Sequence, residues 1–132
     1  MMEHLTTYIT EILILIFVLI TFLQSGLDKL MDWKGNTSWL KEHFSKTFMA
    51  GMVPLMVGII LIIEVIVGLL AIAGIFTLIT NGDSTLGLWA SILACVTLLM
   101  LLFGQRVAKD YAGAFTLTGY FIVCIFGVWI MS

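Results

Sequence analysis

Four apolar runs, approximately 8–27, 55–79, 86–103 and 114–131, take up most of a chain of 132 residues. Each is close to the roughly 20 residues that a helix needs to cross about 30 Å of hydrocarbon. The runs are continuous and do not alternate every second residue. This favours helices over barrel strands, because backbone in lipid must satisfy its hydrogen bonds within its own segment. With 61% hydrophobic and 11% charged residues and a mean hydropathy of +1.17, the chain is not an ordinary soluble domain. The expected architecture is all-α: an integral membrane four-helix bundle forming a single four-span domain over 1–132, with the lipid bilayer as its first partner.

The first run lacks a basic leader, carries Glu11 and passes into Gln24, Ser25, Gly26 and Asp28 without a small-x-small cleavage site. It is expected to stay as a span rather than leave as a signal peptide. The stretch from Asp32 to Val53 is the one substantial loop. In it Trp39, Leu40, Phe44 and Phe48 recur at helical spacing, while Lys41, Glu42, Ser45 and Lys46 cover the other side, which predicts a short interfacial helix between spans one and two. Gly35 and Asn36 are expected to break the chain before it, and Thr37 or Ser38 to cap it. Pro54 is expected to open the second span, where its missing donor costs nothing. Asn81-Gly82-Asp83-Ser84 reads as a tight polar turn.

Glu64 is the sole charged residue between Leu55 and Ile79. An acidic side chain at the centre of a spanning helix costs about 2.5–3.5 kcal/mol on insertion scales, so something must pair it, neutralise it or use it. It is therefore the first candidate functional residue. The plainer alternative is a protonated carboxyl that hydrogen-bonds a neighbouring helix. Leu61, Glu64, Gly68 and Ala71 form a stripe whose small residues let another helix come close, so the side chain is expected to face the bundle. Ten residues from Pro54 place it about 15 Å into the span. Thr21, Gln24 and Asp28 share one face of the first span, and Gln105, Arg106 and Asp110 flank the last hairpin. The expected intramembrane polar cluster is thus Gln24, Asp28, Lys29, Glu64, Gln105, Arg106 and Asp110. Lys29 or Arg106 would reach Glu64 along its stem, with Asp28 and Asp110 balancing the remaining charge. For every member except Glu64 the alternative is a solvated charge at a span end.

Other chemistry finds little support. Cys95 and Cys124 lie about equally far from the last hairpin, so antiparallel packing puts them at similar depth. They read as small core residues, and a redox dithiol is the minor alternative without a Cys-x-x-Cys motif. His4 and His43 are isolated and outside the spans, so no metal or haem site is expected. No nucleophile-base pairing or nucleotide fingerprint occurs, and no basic cluster points to nucleic acid. Thr116, Tyr120, Cys124 and Gly127 read as a packing stripe.

The segment Phe22-Leu23-Gln24-Ser25-Gly26-Leu27-Asp28-Lys29-Leu30, followed by Pro54, Gly58, Glu64 and Gly68 and by the final hairpin, resembles the DoxX/DoxD-like group of small four-helix bacterial membrane proteins. The likeness covers most of the chain and touches Gly26, Lys29, Pro54 and Glu64 residue by residue, without implying a catalytic role for any of them. It implies a membrane subunit of a larger complex in the bacterial cytoplasmic membrane, linked to quinone-dependent oxidoreductase or thiol chemistry. Other membrane subunits would be its partners and quinone the one cofactor in view, with no covalent or recognisably ligated group. Whether the chain itself is an enzyme stays open. Two other readings stand beside this one: a small proton-coupled transporter using Glu64, and a structural accessory subunit of a membrane assembly.

All six basic residues, Lys29, Lys34, Lys41, Lys46, Arg106 and Lys109, lie in or beside the connections between spans one and two and spans three and four. Basic residues of short loops stay cytoplasmic, so both termini are expected outside. Trp33, Trp39, Trp89, Trp129 and Tyr8 lie near span ends as interfacial anchors. Reporter fusions after Ser132 and within 81–85 should read as exported, and fusions near Lys41 and Lys109 as cytoplasmic. A cytoplasmic carboxyl terminus would overturn this orientation.

Overall fold

Each apolar run folds as one helix, and the helices continue past the apolar limits into their polar flanks. The computed structural model describes residues 2–132: α1 (Met2–Thr7), α2 (Ile9–Met31), α3 (Trp33–His43), a single 3-10 turn (Ala50–Met52), α4 (Val53–Asn81), α5 (Thr85–Val107) and α6 (Tyr111–Met131). There is no strand among the described residues. Four helices, α2, α4 with the turn before it, α5 and α6, are long and apolar enough to cross a membrane. The 29 residues of α4 extend about 43 Å at the helical rise, longer than the ~30 Å hydrocarbon layer, which such a helix meets by tilting or by projecting at an end.

The ends of the helices follow from local chemistry. Pro54 stands in the first turn of α4, where no amide donor is needed. Gly82 closes α4 in the left-handed conformation with φ 67°, its amide donating to the Leu78 carbonyl at 3.1 Å; a glycine adopts this geometry without strain. Asp83 then accepts from the Thr85 amide at 3.0 Å and the Thr85 hydroxyl at 2.7 Å. These bonds, the backbone one foremost, hold its carboxyl below the usual carboxylate range. Asp110 caps α6 by accepting from the Gly113 amide at 2.9 Å.

The loop between the first two spans departs from expectation. Gly35 and Asn36 do not break the chain but lie inside α3, and the cap is Asp32 rather than Thr37 or Ser38. Asp32 Oδ1 accepts from the Gly35 amide at 3.2 Å, and Asn36 Nδ2 donates to the carbonyls of Asp32 and Asp28 at 2.9 and 3.3 Å. A capping carboxylate satisfies an otherwise orphan amide, which outweighs the weak helix propensity of glycine. The helix ends at His43, so its expected apolar face is shared out differently. Phe44 is buried with Met49, Val53 and Val57, and Leu40 packs against them. Trp39 is exposed, and Phe48, in the following turns, is 71% exposed.

In the bundle α2 packs on α4, α4 on α5 and α5 on α6, while α2 also meets α5 and α6 and closes the ring. Leu15, Val18, Phe22, Val67, Ala71, Leu78, Ala90, Ala94 and Cys124 fill the core. Cys95 belongs to the same core, and both cysteines are free. The outer faces carry exposed Ile62, Leu69, Phe76, Phe115, Ile122 and Trp129, an apolar surface that would be a liability in water and suits lipid.

The helices cross most tightly at Gly74 and Gly87. A Cβ on Gly74 would lie 2.7 Å from the Gly87 nitrogen and 2.8 Å from its Cα, whereas one on Gly119 would meet nothing within 4 Å. Because backbone cannot yield as a flexible side chain can, Gly74→Ala should destabilise the bundle by about 1–3 kcal/mol. Gly119→Ala should be close to neutral. Denaturant unfolding of both variants in detergent checks the contrast.

Candidate functional site

Glu64 faces the bundle, and α2 supplies its partner. The carboxylate is buried, with the residue 1% exposed, and Lys29 Nζ lies 2.8 Å from Glu64 Oε1. Of the two cations expected to reach it, Lys29 does so. Gly26 lies beside this contact, where a Cβ would be at an ordinary packing distance of 3.8 Å from the Glu64 Cβ, and Gly68 lies against Leu23. Lys29 Nζ also donates to Ser25 Oγ at 2.8 Å and to the Ser25 carbonyl at 3.4 Å. Ser25 and Lys29 are one helical turn apart and share a face. Oε1 receives no aligned hydrogen bond among the described residues. The charges are in contact, yet the acceptor's directional demand is unmet.

The other expected members divide. Gln24 and Asp28 are exposed and do not join Glu64. The face of α2 turned to α4 carries Phe22, Ser25, Gly26 and Lys29, and successive helical residues are rotated by about 100°, which turns Gln24 and Asp28 outward. Arg106 is also exposed, its guanidinium 5.1 Å from the centre of the Tyr111 ring, a cation–π contact. It forms no ion pair among the described residues.

Gln105 and Asp110 meet at a second centre built on His43, a residue that the sequence reading set aside as isolated. His43 Nε2 is 2.9 Å from Gln105 Oε1 and 3.6 Å from Asp110 Oδ2. With the Gln105 amide in this orientation, Nε2 is the donor of the 2.9 Å contact. The His43 ring stacks on Trp39 at 4.8 Å and meets the edge of Phe44 at 5.1 Å. One signal was available: His43 lies three residues after Leu40 and next to Phe44, on the side of α3 that turns inward. This centre ties the α3 loop to the α5–α6 hairpin.

Beside the ion pair a groove of about 690 Å³ runs between α2, the end of α3 with the segment after it, α4, α5 and Leu117 of α6, within the roughly 300–1,000 Å³ typical of small-molecule sites. Val57, Ile60, Val96 and Met100 are among its apolar walls, and Ser25, Lys29 and Gln105 are its polar members. Ile59, Leu99 and Phe103 also line it while being exposed on the outer surface, so the groove opens toward lipid. No group of three His, Cys, Asp or Glu side chains that could hold a metal ion occurs among the described residues. No protein-family model, curated protein or solved structure matches the chain.

Removing one partner of a buried pair leaves an uncompensated charge, at a cost of about 3–5 kcal/mol, whereas replacing both with apolar groups is often neutral. Lys29→Met should therefore lower unfolding stability in detergent by that amount, and Lys29→Met with Glu64→Leu should recover at least half of it. Equal losses in the single and double variants would show that the two side chains do not act as a pair.

Proposed function

We propose that the protein is a DoxX-like membrane subunit of a larger bacterial assembly, in which the groove beside the Lys29–Glu64 pair receives a lipid-borne redox carrier of the quinone type. In this reading it sits in the cytoplasmic membrane with both termini outside, and a partner subunit supplies the electron-transfer groups. The observation that carries the proposal is an apolar groove open to the outer surface of the bundle, with Lys29, ion-paired to the buried Glu64 behind it, in its lining. Apolar walls hold the ring and tail, and a few fixed polar groups orient the head. Lys29 and Ser25 are placed to hydrogen-bond a head-group oxygen, and Glu64 holds the ammonium in position. Gln105, kept in place by His43, is the further polar side chain of the lining.

A proton-coupled carrier is the second reading, favoured by a carboxylate buried about 15 Å into its span. Transporters of this kind bind at interrupted helices, while α4 runs unbroken for 29 residues. The quinone-linked subunit therefore accounts for more of the geometry.

Glu64→Gln keeps shape and hydrogen-bonding capacity and removes the charge, and Glu64→Leu removes both. Under the proposal both variants reach the membrane, and both lose most of the quinone that co-purifies with the native complex in mild detergent. If Glu64→Leu retains quinone and partner subunits at wild-type levels, the assignment of this residue fails. A pure, quinone-free homo-oligomer from native membranes would favour the carrier instead.

A further inference from the structure

Lys29 is the one cationic side chain among the groove-lining residues, and its three N–H groups are unequally engaged. Ser25 Oγ and Glu64 Oε1 are each 2.8 Å away, whereas the Ser25 carbonyl is at 3.4 Å, beyond the roughly 2.7–3.2 Å of a well-formed N–H···O bond. Only the bond to Ser25 Oγ is well formed, since Glu64 Oε1 is in contact but out of line for a hydrogen bond, and the N–H directed at the Ser25 carbonyl is the one that an incoming acceptor can capture at little cost. The charge of the site also limits what that acceptor can be. Lys29 and Glu64 sum to zero, so an anionic head would leave one uncompensated negative charge in a low-dielectric wall, with Oε1 already short of a donor. An uncharged oxygen adds no such cost.

We propose that the groove selects uncharged amphiphiles whose head carries a carbonyl-type acceptor oxygen, with Lys29 donating to that oxygen and Glu64 excluding acids by keeping the site neutral. The inference rests on the groove being a ligand site, and adds a rule for which ligands it takes. Met49, Met56 and Met100 line the groove, and their flexible thioethers adapt to chains of differing shape. The opening past Ile59 and Leu99 leaves room for a longer tail to trail into lipid.

Three probes of equal chain length test the rule: radiolabelled methyl dodecanoate, dodecanoate at a pH where the acid is ionised, and dodecane. Each is equilibrated with the full-length protein in phosphatidylcholine nanodiscs, with empty discs as reference. The wild type should hold the ester about tenfold more tightly than dodecane, the gain expected of one hydrogen bond from a charged donor, and should also prefer it to dodecanoate. Glu64→Gln leaves Lys29 unbalanced, and the order should reverse, with dodecanoate above the ester. The double variant Lys29→Met with Glu64→Gln is neutral but has no ammonium, and its ester binding should fall to the dodecane level. It also carries the test if Glu64→Gln fails to accumulate. Equal binding of ester and dodecane to the wild type overturns the role of Lys29, and dodecanoate matching the ester overturns the neutrality rule. If none of the three probes is retained above empty discs, the groove itself is not a ligand site, a different failure from either of these.

Discussion

A carboxylate in the middle of a spanning helix cannot be left alone, and the arrangement around Glu64 answers that demand. At the observed 2.8 Å the attraction between two unit charges is about 6 kcal/mol for an effective dielectric near 20. Desolvation costs several kcal/mol per ion. The two terms are of similar size, so the pair roughly breaks even as a contribution to stability. Its effect is on specificity: α2 must present Lys29 to α4 at one register and one depth, and any slip of a helix leaves a bare charge in hydrocarbon.

The register in turn explains the small residues. Gly74 against Gly87 brings α4 and α5 together where no side chain would fit, and Gly26 and Gly68 lie along the α2–α4 seam at ordinary packing distances. Association in lipid gains nothing from apolar burial as such, so close packing and satisfied polar groups must supply the attraction between helices. Ile62, Leu69, Phe76, Phe115 and Trp129 are turned outward, where lipid tails receive them, while Leu15, Phe22 and Leu78 fill the core.

The second polar centre does a different job. His43, Gln105 and Asp110 join a loop, the end of one helix and the cap of another, and Asp110 serves the α6 amides while facing His43. Because Gln105 also lines the groove, the position of the α3 loop and the shape of the site are mechanically connected.

Much of this architecture was legible from residue order. Run lengths determined the four helices and their antiparallel succession, since hydrocarbon thickness leaves few alternatives. The isolation of Glu64 determined that it needed a partner, and its stripe of small neighbours determined that it faced inward. Tertiary structure decided the rest. Gln24 and Asp28 appeared to belong with Glu64 because depth can be read from sequence position, but azimuth depends on how α2 is rotated about its axis, and packing against α4 selects Ser25 and Lys29. The choice of Lys29 over Arg106 has the same origin. His43 was overlooked because its partners lie 62 residues or more along the chain, a separation that no local pattern encodes. The groove exists only as the space left between five helices, and a volume bounded by side chains from separate helices has no signature in any one of them.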